Sequence, residues 1–368
     1  MKISYGKNVY GKEEINAVTN QLKKSTQMGK SIQMFEKLIS NYFSKKFGLM
    51  VNSGSSAIML AIKVLNLKKN DEVITPCLNF GTAISSLIHY GVQPIFVDID
   101  VETLQIDTSK IEKKITKKTK ALLIPNLIGN IPDWKKIHNI AKKNKLKIIE
   151  DSADTLGAKI FNKSTGVFSD ISITSFYGSH IISCAGNGGC FLTNDKKYFE
   201  KAKVLRSWGR MSSLLSDSEN IKKRLGVKLK GISYDKKFIF SEAGYNFEPS
   251  EIGAAFGLVQ LGKLDEYIRI RQENFLRQCQ FFAGHSKYFY CPIETPNVST
   301  AWLAFPILIR KDAPFNRKEL QIFLEKNNIL PGNNIYISST NEYSITVSVA
   351  EDDFFGLDRF IAKRVFVS

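Results

Sequence analysis

From residue 57 to residue 193 the sequence switches repeatedly between short apolar runs and segments of helical periodicity. Glu72–Pro76 (EVITP), Pro94–Val97 (PIFV), Ala121–Pro125 (ALLIP), Lys147–Glu150 (KIIE), Ile171–Phe176 and Gly189–Thr193 read as strands. Ala57–Asn66, Thr82–Tyr90 and Trp134–Lys143 carry apolar residues at helical spacing between them. Strands joined by helices of about ten residues imply crossover units and a mainly parallel sheet with helices on both faces. The runs lack polar alternation, as expected of strands buried on both sides. The fold class is therefore α/β.

From Pro249 the pattern changes. A long, interrupted amphipathic helix fits 249–281. A strand follows at Trp302–Ile309, a helix at Arg317–Asn327 and a strand at Tyr343–Ala350. This predicts a large α/β domain over 1–246 and a smaller α+β domain over 247–368. A chain of 368 residues is too long for one small core and suits such a division.

Several functional classes can be set aside. No run reaches the roughly 18 uncharged apolar residues of a membrane span. The start, MKISYGKNVYGKEE, has no apolar signal-peptide core, so a cytoplasmic location without membrane attachment is expected. The five cysteines are scattered and form no C-x-x-C pair, which argues against a disulfide framework or a locally built metal site. The net charge of +17 raises the question of nucleic acid. However, the lysines are spread along the chain, and dense pairs such as Lys113-Lys114 and Lys117-Lys118 read as solvated faces with no nucleic-acid motif beside them.

Four segments sit where strands of such a sheet would end, the place ligands occupy in open α/β folds. Asn52-Ser53-Gly54-Ser55-Ser56-Ala57 opens a helix and offers free N–H groups to a phosphate, although serines also cap helices routinely. Asn79-Phe80-Gly81 places an aromatic ring after a strand, either to stack on a heteroaromatic or to fill the core. Glu150-Asp151 puts a carboxylate at a strand's carboxyl end, able to pair with a protonated pyridine nitrogen or to cap a helix. Ser175-Phe176-Tyr177-Gly178-Ser179-His180, followed by the Gly186-Asn187-Gly188-Gly189 turn, sets a serine and a titratable histidine five positions apart.

In this order, together with Asp71-Glu72-Val73, Val97-Asp98-Ile99-Asp100 and Gly244-Tyr245-Asn246, these segments resemble the DegT/DnrJ/EryC1/StrS nucleotide-sugar aminotransferases, a branch of the fold-type I pyridoxal-phosphate enzymes, over roughly residues 1–330. The resemblance implies an aspartate-aminotransferase-like large domain and a homodimer with shared active sites. It implies that Gly54, Ser55 and Ser175 hold the cofactor phosphate, Phe80 stacks on the ring, Asp151 pairs with the pyridine nitrogen, and Asn246 reaches the phosphate of the neighbouring subunit.

His180 stands where the aminotransferases carry the lysine that links the cofactor. This, with Leu205–Arg210 (LRSWGR) and Trp302–Pro306 (WLAFP), resembles the sugar 3-dehydratase subgroup. That subgroup implies pyridoxal or pyridoxamine phosphate held without a covalent link, His180 as the proton carrier, glutamate as amine donor, and a nucleotide-linked 4-keto-6-deoxy sugar as substrate. CDP-type members bind an iron–sulfur cluster through cysteines soon after the Trp-Gly-Arg segment. Met211–Leu214 offers none, so no cluster is expected and a GDP-sugar is favoured. Asn187 replaces the usual glutamate of the glycine turn, and the C-terminal segment is short. An aminotransferase and a non-catalytic member remain the alternative readings.

Overall fold

A computed structural model describes residues 9–215, 220–225, 227–229, 231–310, 312–329 and 356–357. Its centre is a seven-stranded sheet built from β1 (Phe47–Val51), β2 (Glu72–Pro76), β3 (Gln93–Val97), β4 (Thr119–Pro125), β5 (Lys147–Asp151), β6 (Ile171–Ser175) and β7 (Gly189–Thr193). The order across the sheet is β1-β7-β6-β5-β4-β2-β3. Strand β7 runs antiparallel to both neighbours, and the other adjacent pairs are parallel.

The apolar runs are two-sided, and each strand divides its side chains between two cores by the period of two. On one face Leu123 and Ile149 meet Ile58, Leu60 and Ala61 of α3 (Gly54–Val64). On the other, Leu122, Ile124 and Ile148 meet Trp134, Ile137 and Ile140 of α5 (Trp134–Asn144). Helix α1 (Lys12–Leu22) precedes α2 (Lys30–Tyr42), and α2 brings Phe35 and Ile39 to a third cluster with Met50, Cys190 and Leu192. Helix α4 (Gly81–His89) follows β2, and α6 (Lys196–Arg206) follows β7.

The long C-terminal helical segment is two helices, α7 (Glu251–Gly262) and α8 (Leu264–Ala283), with the break at Lys263. Helix α7 packs on α1 and α2, so the proposed division between 1–246 and 247–368 leaves α7 seated on the large unit. Glu251 fixes that seating. Its buried carboxylate accepts the main-chain N–H groups of Gly29 (2.8 Å), Ser31 (2.7 Å) and Ile32 (3.2 Å) at the start of α2, where a helix has no acceptors of its own.

Beyond α7, Phe275, Phe282, Trp302, Phe305 and Leu324 form a separate cluster. Trp302 stacks on Phe275 at 4.1 Å, and its indole donates to Glu294 at 2.9 Å. The strand expected over 302–309 is confined to Pro306–Ile309. The reason is that Trp302 and Phe305 are spent on this cluster and the Leu303 N–H bonds Ile128 O at 3.1 Å rather than a sheet neighbour. The helix expected at 317–327 is α9 (Arg317–Lys326), started by an Asn316–Glu319 capping box. The strand expected at 343–350 lies outside the described residues. Among the described residues no helix is long and apolar enough to cross a membrane.

Candidate active site

Chain direction in the sheet reverses sides at β4, with β2 and β3 to one side and β5, β6 and β7 to the other. A crevice is expected outside the strand carboxyl ends at such a point. A cavity of about 330 Å³ lies there. Its wall comes from Pro125 at the end of β4, Asp151 at the end of β5, Ser175 at the end of β6, the first turns of α3 and α4, the 177–180 loop and the glycine turn.

One end is built for an anion. Ser53 caps α3 by accepting the Ser56 N–H at 3.1 Å, which leaves the N–H groups of Gly54 and Ser55 without helical acceptors. Only glycine allows this helix to start so close to β6: a Cβ on Gly54 would lie 2.7 Å from Ser175 Cβ and 3.1 Å from its Oγ. Ser55 Oγ donates to Thr82 Oγ1 at 3.2 Å, gathering a third hydroxyl beside Ser175. Phe80, at the N-cap of α4, lines the same cavity with its ring 48% exposed.

The other end is acidic and buried. Asp151 is buried at the end of β5, and its Oδ1 accepts the Ala153 N–H at 3.0 Å. Burial, with Asp154 and Glu150 nearby, pushes its carboxyl up to about 7. No cation among the described residues forms an ion pair with it. An apolar-walled carboxylate of this kind is matched by a ligand that brings its own cationic N–H. Asp154, three residues on, also faces the cavity. Burial raises it to about 6, and its Oδ2 accepts the Ile128 N–H at 2.9 Å.

The neighbouring Glu150 points to the opposite face of β5 and holds the strand end still. Its carboxylate accepts Asn126 Nδ2 (3.2 Å), Ser152 Oγ (2.8 Å), Ser169 Oγ (3.0 Å) and Ser172 Oγ (2.7 Å). Asn126 is in turn fixed by the Trp134 indole at 2.7 Å.

His180 lies on the loop after β6, half-buried, with Nδ1 buried and unpartnered. Burial drives its pKa down to about 4. A hydrogen bond that the ring donates to the Ser175 main-chain carbonyl opposes the shift, and the Arg271 charge adds to it. The imidazole is therefore neutral at physiological pH, the form that can take a proton.

The structure thus brings Gly54, Ser55, Phe80, Asp151, Ser175 and His180 around one cavity. It does not bring Asn246 there. That side chain is exposed, and its carbonyl accepts Asn52 Nδ2 at 3.4 Å. Thr82, Asn126 and Asp154 also line the cavity and were not singled out from sequence; Leu303, within the WLAFP segment, lines it too. Only Asp154, three positions after a recognised carboxylate, offered a signal. An anion cradle, an exposed aromatic platform and an unpaired buried carboxylate together fit pyridoxal phosphate. Among the described residues no cluster of three or more His, Cys, Asp or Glu is assembled for a metal.

The DegT/DnrJ/EryC1/StrS aminotransferase family profile matches residues 8–352. The lipopolysaccharide biosynthesis protein RfbH of Salmonella typhimurium is 34% identical over 312 residues, 82% of this chain and 71% of that protein. GDP-perosamine synthase of Escherichia coli O157:H7 is 34% identical over 245 residues, 67% and 61% of the two chains. Among solved structures, Escherichia coli GDP-4-keto-6-deoxy-D-mannose-3-dehydratase with bound hydrated PLP superposes with a TM-score of 0.81 at 31% identity, covering 90% of this chain and 85% of that one.

Proposed function

The chain belongs to the DegT/DnrJ/EryC1/StrS aminotransferase family of pyridoxal-phosphate-dependent sugar-modifying enzymes, and on that premise we propose that it removes the C3 hydroxyl of a nucleotide-linked 4-keto-6-deoxy sugar. The nucleotide we favour is GDP and the amine donor glutamate. The observation that carries this reading is His180: a neutral imidazole stands in the cavity where amine-transferring relatives would place a lysine. An imidazole can carry a proton but cannot hold the cofactor covalently.

When bound in its amino form, the cofactor would supply an amine for the C4 ketone and a ring able to take up an electron pair. The residues around it divide the remaining work. The N–H groups of Gly54 and Ser55 and the Ser175 hydroxyl bind the phosphate. Phe80 covers a face of the ring. Asp151, ionised against the ring nitrogen, keeps that nitrogen protonated and so deepens the electron sink. His180 would take the proton from the carbon that bears the cofactor's amine and deliver it to the departing C3 oxygen. Asn246 would act in the partner's site of a homodimer.

The overall change balances. The sugar loses its C3 oxygen, glutamate is oxidised to 2-oxoglutarate, and the nitrogen leaves as ammonia. Incubation with cofactor, glutamate and GDP-4-keto-6-deoxymannose should yield ammonia and a 4-keto-3,6-dideoxy product. An amino sugar that has kept its C3 oxygen would refute dehydration and establish amine transfer instead.

A further inference from the structure

The charge that the sequence scatters is gathered by the fold. No arginine occurs before Arg206, so all the positive side-chain charge of the α/β strands and crossovers up to there, histidines aside, is lysine. The amino ends of the parallel strands β2, β4 and β5 lie side by side, at the edge of the sheet opposite the cavity. The loops entering them are tied together. Glu72 N–H donates to Lys118 O at 3.0 Å, Thr119 Oγ1 donates to Glu72 Oε2 at 3.2 Å, and Lys143 pairs with Glu112 at 2.8 Å.

Lys68, Lys69, Lys117, Lys118 and Lys145 in these loops and Lys142 in the last turn of α5 are all exposed, and none is in an ion pair with a described residue. The carboxylates on the same face are already engaged. Asp71 accepts the Lys68 main-chain N–H, Glu72 the threonine hydroxyls, Glu112 Lys143 and Asp170 Lys147. No large apolar or aromatic side chain is exposed in these loops.

We propose that this face docks the protein on an anionic lipid bilayer, with the cavity turned to solvent. Nucleic-acid readers use arginine forks and stacking aromatics, and this face has neither. Mobile point charges spread over several strand ends suit a plane of headgroup phosphates instead. The inference is independent of the reaction assigned above.

The test is flotation of the full chain with vesicles of phosphatidylcholine, alone or mixed with phosphatidylglycerol. The protein should float only with the mixed vesicles and be released by high salt. The triple variant Lys117→Glu, Lys118→Glu, Lys142→Glu should partition at least about 10-fold less, since each lysine near such a surface is worth roughly 5-fold. Its melting temperature and turnover should be unchanged, and a Lys→Gln version at the same three positions should lie between. Failure of the wild type to float with anionic vesicles would overturn the proposal, as would a triple variant that floats equally well. Tighter binding to a DNA or RNA duplex than to vesicles would assign the face to nucleic acid and equally overturn it.

Discussion

Replacing Gly54 with alanine tests the anion cradle at its narrowest point. The added Cβ would sit 2.7 Å from Ser175 Cβ, whereas ordinary contact begins at 3.4 Å, so about 0.7 Å must open between α3 and β6. Neither side yields easily. Ser175 is the last residue of a central strand, and Ser53, which caps α3, is pressed by the glycine turn: a Cβ on Gly189 would lie 2.3 Å from Ser53 O. An opening of that size stretches hydrogen bonds from the α3 N-terminus to a phosphate beyond useful length. Two weakened charge-assisted bonds, each worth about 1.5–3 kcal/mol, predict a loss of cofactor affinity on the order of 100-fold or more. Overpacking adds about 1–3 kcal/mol of destabilisation. Titration of the protein with pyridoxal phosphate, followed by absorbance, measures the first effect, and a urea melt without cofactor measures the second. If Gly54→Ala bound the cofactor with unchanged affinity, the phosphate would not sit at this helix start.

Other perturbations separate the remaining elements. Asp151 is held up to about 7, so the cofactor-free protein should lose stability as pH rises from about 4 through 7, while the unfolded chain ionises and the buried carboxyl resists. Asp151→Asn should flatten that limb in pH-dependent denaturation and gain on the order of 4 kcal/mol at pH 8, yet bind cofactor more weakly; an unchanged pH profile would remove the buried carboxyl from the account. His180, held down to about 4, acts in the opposite direction, with stability lost as pH falls from about 6.5 toward 4, and His180→Asn should abolish that loss in an acid titration. Glu251→Ala strips three main-chain N–H groups of their buried acceptor and should cost roughly 3 kcal/mol in a urea melt; a cost under about 1 kcal/mol would mean that α2 and α7 are held by their apolar contacts alone.

The large α/β unit was legible because its signals are local. EVITP and Gly189–Thr193 became strands with the expected bounds, and Trp134 opens its helix where the periodicity begins. Edge strand β1 (FGLMV) passed unnoticed: five residues after a lysine pair carry too little pattern to distinguish them from a loop. The WLAFPILI run misled for a tertiary reason, since its first half packs on Phe275 and only its second half pairs with a strand.

The site divides in the same way. Gly54, Asp151, Ser175 and His180 stand in short segments whose residue types already imply anion, cation or proton chemistry. Thr82, Asn126 and Leu303 enter the cavity because separate strand ends and the C-terminal segment converge there, and no window of sequence contains that convergence.

The proton-carrying role of His180 is the centre of the functional reading. Single-turnover conversion of GDP-4-keto-6-deoxymannose by protein loaded with pyridoxamine phosphate, wild type against His180→Asn, tests it most directly, with ammonia and cofactor affinity measured on the same samples. The account predicts unchanged cofactor affinity and a rate of ammonia release lower by about 100-fold or more in the variant. A variant that binds the cofactor normally and releases ammonia at the wild-type rate would contradict it.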